Sequence, residues 1–246
     1  MPTCLITGAT GGVATALASR LREAGWRLAL VTRQPDKLSS DPADLVIEAD
    51  VSTAAGADHA LSAAEGAFGA PPTALAHCAG AVVLGSLPRT TEAMYRDCLA
   101  ANLDSAFFVA QAYAPRVQKA GQGGSLLFFS SVAAGMGVAN HAAIAAAKGG
   151  VEGLVRALAA DYSAAGLRIN AIAPGLLRTP ATARLLSSDA SSKAIRAQYP
   201  LGRHGEAEDA AALGAFLLSD EAGWVTGQVI ALDGGFQAVR PMVRAG

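Results

Sequence analysis

Thr7-Gly8-Ala9-Thr10-Gly11-Gly12-Val13-Ala14 is the stretch that decides the fold. Before it, Thr3–Thr7 reads as a short buried strand; after it, an apolar helical period runs over Val13–Ala24. Glycines between a strand and a helix permit a tight turn and close backbone approach to a ligand. The helix N-terminus beyond them offers free N–H groups and the positive end of a dipole, a combination suited to a pyrophosphate.

Working outward, the alternation continues. Strand-like runs lie at Arg27–Thr32, Leu45–Ala49, Ala74–His77, Ser125–Ser130, Arg168–Ile172 and Val229–Leu232. Helix-like stretches lie at Ala54–Phe68, Thr91–Ala120, Ala142–Ala164 and Ala207–Leu218. A continuous apolar run such as Leu126-Leu127-Phe128-Phe129 requires a sheet covered on both faces. The expected fold is α/β: a Rossmann-type, doubly wound parallel sheet of about seven strands between two helix layers. No repeat or linker divides the chain, so residues 1–246 are expected to form one dinucleotide-binding domain. The segment 178–205 differs: rich in Ser, Ala and Arg, without a strand signal, it follows Pro174-Gly175. A surface insertion and a substrate lid both fit it, and the lid is preferred because long excursions in compact domains are often functional.

Composition removes several other classes. The 246 residues are 52% hydrophobic and 16% charged, and 19 basic against 20 acidic residues give a net charge of −1. That balance carries no electrostatic footprint for nucleic acid or an anionic membrane. The N-terminus has no secretory pattern, and no run of about eighteen apolar residues exists. Three widely spaced cysteines (Cys4, Cys78, Cys98) suit neither a disulfide framework nor a metal site. A cytoplasmic protein with reduced thiols, acting on a small molecule, is the expectation.

The spacing Thr-Gly-x-x-x-Gly-x-Ala resembles the Thr-Gly-x-x-x-Gly-x-Gly motif of the short-chain dehydrogenases/reductases, with Ala14 in place of the last glycine. The resemblance extends over nearly the whole chain. Asp50-Val51 resembles the family's adenine contact, and His77-Cys78-Ala79-Gly80 stands where the family has Asn-Asn-Ala-Gly. Asn170-Ala171-Ile172-Ala173-Pro174-Gly175, Leu177 and Thr179 resemble the loop that holds the nicotinamide carboxamide. Leu201-Gly202-Arg203 and Thr226–Gly235 resemble the closing signature. The resemblance implies a dinucleotide held by Gly8, Thr10, Gly11, Gly12, Val13, Asp50, Val51, Ala79, Gly80, Lys148, Pro174, Gly175, Leu177 and Thr179. Cofactor choice is read after the second strand, in Leu30-Val31-Thr32-Arg33, where an arginine suits a ribose 2′-phosphate and an acid would repel it. Arg33 therefore favours NADP(H) over NAD(H). His77 reads as a strand-end histidine with satisfied nitrogens rather than as a catalyst.

In the family, hydride passes between nicotinamide C4 and a carbonyl carbon while a tyrosine exchanges the proton, assisted by lysine, serine and asparagine. The resemblance carries three of these roles onto Ser131, Lys148 and Asn102. Where the tyrosine is expected, four residues before Lys148, stands Ile144. Tyr95, Tyr113, Tyr162 and Tyr199 are the chain's tyrosines, and none lies within ten residues of Lys148. Three readings follow. The first is a carbonyl/alcohol oxidoreductase with another proton donor; His141 leads, because an imidazole is suited to proton exchange near neutral pH, with Lys148 or an ordered water as alternatives. The second is a catalytically silent dinucleotide binder acting as sensor or partner subunit. The third is a lyase or isomerase using Ser131, Lys148 or His141. The resemblance also implies a homodimer or homotetramer built through the 142–164 helix and the last strand. Arg178, Arg184, Arg196 and Arg203 would meet an acidic substrate or simply face solvent.

Overall fold

The glycine-rich turn joins a strand to a helix, as its spacing requires. The computed structural model describes residues 1–38 and 41–240. The first half of the chain runs β1 (Thr3–Thr7), α1 (Gly12–Glu23), β2 (Arg27–Thr32), β3 (Leu45–Glu48), α2 (Ala54–Phe68) and β4 (Ala74–His77). Then come α3 (Glu92–Leu99), α4 (Ser105–Ala120), β5 (Gly124–Phe129), α5 (Val132–Gly135) and α6 (Ala142–Tyr162). The remainder is β6 (Leu167–Pro174), β7 (Leu177–Arg178), α7 (Asp189–Arg196), β8 (Gly205–Glu206), α8 (Ala207–Leu218) and β9 (Val229–Leu232).

Seven strands pair in the order β3-β2-β1-β4-β5-β6-β9, all parallel. Side chains alternate across each strand, so each strand feeds two cores. Leu5, Leu75, Leu126, Phe128 and Ile169 point to the face covered by α2, α4 and α6. Cys4, Ile6, Leu28, Leu30 and Leu127 point to the opposite face, under α1 and α8. The chain leaves β1 in one direction towards β3 and in the other, from β4, towards β9. That reversal opens a crevice beyond the carboxyl ends of β1 and β4, where ligands bind in open parallel sheets.

Differences from the sequence reading are local. β3 ends at Glu48 rather than Ala49, β5 is shifted one residue back, and β6 extends to Pro174. The expected Thr91–Ala120 helix is interrupted by a π turn over Ala100–Asp104, with Asn102 buried inside it. Its Nδ2 donates to the carbonyls of Cys98 (2.9 Å) and Ala81 (3.0 Å), so one side chain secures the widened turn to the loop after β4. Segment 178–205, read as strandless, is rooted by the parallel pair β7–β8. A 3-10 turn at Pro180–Leu186 follows, and then α7, whose N-cap Ser188 accepts from Ser191 N. Among the described residues, no helix is long and apolar enough to cross a membrane.

Candidate active site

At the dinucleotide end, Gly8 adopts φ +64°, and a Cβ there would lie 2.7 Å from both Cα and N of Ala79. The turn thus presses backbone against backbone at the switch between β1 and β4, and only glycine fits. Gly11 N donates to Gly8 O at 2.9 Å, and Thr10 stands exposed between them. The N-terminus of α1 has no side-chain cap and no acidic residue in its first turn, which leaves Gly12 and Val13 free to face an anion. A Cβ on Gly12 would sit 3.2 Å from Thr179 and Pro180, so the turn and the loop after β6 meet. Ala14 is buried against the α1/α8 core, and the missing glycine is taken up by helix–sheet packing.

Arg33 stands exposed just past β2 and Asp50 just past β3, on neighbouring strand ends. The Asp50 carboxylate accepts from Ser52 Oγ (2.7 Å) and Ser52 N (3.0 Å). These bonds hold its carboxyl below the usual range, and the Arg33 charge adds to the effect. Val51 is buried beside it.

A cavity of about 450 Å³ lies at the carboxyl ends of β4, β5 and β6. Val13, Ala79, Gly80, Asn102, Ser131, His141, Ile144, Lys148, Pro174, Gly175, Leu177 and Thr179 all line it. The residues expected at the reacting end are therefore brought together, while Gly8, Thr10, Gly11, Gly12, Arg33, Asp50 and Val51 extend the same sheet edge away from it. Lys148 Nζ donates to Phe129 O at 2.8 Å, and burial lowers its pKa to about 8 against the opposing influence of Cys98 and Cys78. Asn102 Oδ1 accepts from Ala81 N at 3.3 Å. Gly80 leaves space between them, since a Cβ there would be 2.8 Å from Asn102 Oδ1 and 3.6 Å from Lys148 Nζ. Ser131 Oγ caps α5 by accepting from Ala133 N at 3.2 Å, which leaves its hydrogen to donate. Ile144 closes against Cys98, Ala143 and Ala147 with one side on the cavity. His141, the N-cap residue of α6, places Nδ1 2.7 Å from Ala139 O. A carbonyl can only accept, so Nδ1 carries a hydrogen and Nε2 is the ring nitrogen left to exchange a proton.

Tyr199 also lines this cavity and escaped the sequence reading. Its Oη accepts from Leu176 N at 2.7 Å, and its ring fills the space that Gly175 leaves open. Burial raises its pKa, so it stays a neutral phenol. No signal linked it to Lys148, because segment 178–205 brings it back from far along the chain. Ser130, likewise unnoticed, donates to Glu152 Oε1 at 2.7 Å and ties β5 to α6 beside the site.

His77 is fully engaged in the core. Nδ1 pairs with Thr7 Oγ1 (2.9 Å) and Nε2 with Ser105 Oγ (3.1 Å). Burial, with a smaller contribution from Lys148, lowers its pKa to about 3. Unfolded, the imidazole titrates near 6.5, so between those values the unfolded chain takes up a proton that the native state refuses. Stability should therefore fall as pH drops below about 6.5, by up to about 1.4 kcal/mol per pH unit. His77→Asn, which retains hydrogen bonding, should flatten this acid limb in denaturant melts; an unchanged slope would contradict the assignment.

Fold and site together define a dinucleotide-binding α/β protein, with a glycine cradle at one end of the crevice and a lysine–serine–asparagine cluster at the other. A family model described as Enoyl-(Acyl carrier protein) reductase matches residues 8–237. The chain is 35% identical to 2-(S)-hydroxypropyl-CoM dehydrogenase 3 of Xanthobacter autotrophicus, over 95% of this chain and 96% of that one. It is 36% identical to the protein named Inactive 2-(S)-hydroxypropyl-CoM dehydrogenase 2 of the same organism, over 88% and 97%. A short-chain type dehydrogenase/reductase from Mycobacterium ulcerans superposes with TM-score 0.89 at 31% identity, covering 96% of this chain and 89% of that one. Levodione reductase gives TM-score 0.89 at 30% identity, covering 97% and 98%. The chain belongs to the short-chain dehydrogenase/reductase family, whose oxidoreductases bind NAD(P) and act on small alcohols and carbonyl compounds.

Proposed function

We propose that this protein is an NADP(H)-dependent carbonyl/alcohol oxidoreductase in which His141 replaces the family's tyrosine as the proton-exchanging group. The observation that carries the reading is the single cavity shared by Ser131, Lys148, Asn102 and His141 with the loop Pro174–Thr179. A bound nicotinamide dinucleotide supplies or accepts the hydride. Ser131 donates its free hydroxyl hydrogen to the carbonyl oxygen and orients it. The Lys148 ammonium, fixed on Phe129 O, provides positive charge where oxygen gains negative charge. His141 Nε2 takes the alcohol proton in oxidation and, once protonated, returns it in reduction. His141→Ala should lower kcat by about 10²–10⁴-fold with little change in dinucleotide affinity. Activity that survives this substitution unchanged would remove His141 from the role.

Arg33 supports NADP(H), since it stands exposed past β2 and the next acid is Asp36. A charge-assisted contact contributes about 1.5–3 kcal/mol, so Arg33→Ser should cut the NADPH-to-NADH affinity ratio by about tenfold or more. Equal affinities for the two in the native chain, read by fluorescence titration, would contradict the preference. Association into a dimer or tetramer belongs to the same reading.

A silent dinucleotide binder is the second reading. It is favoured by Ile144, which is only 7% exposed, packs into an apolar cluster and presents a hydrocarbon to the cavity where the family has its proton donor. The relative whose name begins Inactive points the same way.

A further inference from the structure

Much of the cavity lining is hydrocarbon. Val82, Leu84, Val138 and Ile144 line it, together with Leu185 and Ile195 of segment 178–205. Among the described residues, no aspartate, glutamate or arginine lines it. The arginines that would have met an acidic substrate are directed elsewhere. Arg178 pairs with Glu206 at 3.3 Å, Arg203 pairs with Asp209 at 2.6 Å, and Arg184 and Arg196 stand exposed outside the lining.

The remaining polar groups are suited to an uncharged ligand. Thr182 is spent on Leu177 O (2.6 Å) and on Thr179 N (3.1 Å). Gln198 donates to Ala194 O at 3.4 Å. Ser131 and Tyr199 each accept a backbone N–H, which leaves one hydroxyl hydrogen apiece. Among the described residues Lys148 is the one lysine or arginine of the lining, and it is already bonded to Phe129 O, while His141, the other ionisable base there, has Nδ1 held by Ala139 O. Moving an unpaired carboxylate or phosphate from water into such a space costs several kcal/mol, whereas each buried CH₂ contributes about 0.8 kcal/mol.

We infer that the substrate is an uncharged, predominantly hydrocarbon ketone or secondary alcohol, whose oxygen is the one polar group placed at Ser131 and Lys148 and whose apolar body lies against Leu185 and Ile195. The inference rests on the oxidoreductase reading for the reacting group, but the selection by charge is a property of the cavity alone. Binding and turnover are therefore to be measured separately.

The full chain saturated with NADPH is titrated calorimetrically with two ketones of similar shape, 4-tert-butylcyclohexanone and 4-oxocyclohexanecarboxylate. The uncharged ketone should bind at least tenfold tighter. Leu185→Arg, which sets a cation in the apolar wall, should weaken the uncharged ketone and admit the carboxylate, reversing or abolishing the difference. Equal or tighter binding of the carboxylate by the native chain would overturn the inference. So would binding of neither ketone, or an unchanged ratio in Leu185→Arg. Binding of the uncharged ketone without NADPH oxidation would uphold the substrate class and remove only the oxidoreductase reading.

Discussion

Ile144→Tyr should raise the rate of ketone reduction by about 10²–10⁴-fold, the usual contribution of a positioned proton donor. Ile144 and Lys148 stand four residues apart on α6 and both line the cavity. A phenol at position 144 would stand at the cavity that Ile144 lines, on the helix face of an ammonium that favours its ionised form. Overpacking against Cys98 and Ala147 opposes this, at a typical cost of about 1–3 kcal/mol in stability. A thermal melt alongside steady-state kinetics separates the two effects. A folded variant with unchanged kcat would mean that the apolar pocket, not the absent hydroxyl, limits turnover.

Gly8→Ala should abolish dinucleotide binding and destabilise the fold by about 2–4 kcal/mol. Two costs combine at this position. A left-handed residue with a Cβ costs roughly 1–2 kcal/mol, and the new carbon would lie 2.7 Å from backbone atoms of Ala79, which cannot turn aside like a side chain. Relief requires the Cys78–Gly80 segment to move, and that segment forms one wall of the cavity. Gly25→Ala is the matched control: φ there is +79°, but nothing lies within 4 Å, so only the conformational cost applies. Similar losses of stability for the two variants, or retained NADPH affinity in Gly8→Ala, would show that the turn is not the tight cradle described.

Most of the framework was legible because its strands carry an unmixed signal. β1, β2, β4 and β9 have the bounds read from the sequence, each built on an apolar run, and the glycine turn fixes where β1 gives way to α1. The π turn at Asn102 was not legible, since it inserts a residue into a continuous apolar helical pattern without any glycine or proline to mark it. Helix α7 lies in a short Ser/Ala-rich stretch with few apolar residues and is defined by its Ser188 cap. Among the site residues, Ser131, Lys148 and Asn102 were readable as motif, because each sits at a fixed offset from a strand end or helix face. Tyr199 and the fixed orientation of His141 were not. The first depends on how segment 178–205 folds back onto Gly175, the second on a backbone carbonyl two residues away.

Hydride transfer is expected to proceed in this cavity with no tyrosine at position 144. Its most direct measurement is label transfer from NADPH carrying deuterium at the reactive C4 position, in the presence of uncharged apolar ketones. The expected result is alcohol product bearing deuterium on the former carbonyl carbon, formed slowly by the native chain and faster by Ile144→Tyr. Saturable NADPH binding with no label in any product would contradict it and leave a dinucleotide-binding protein that does not turn over.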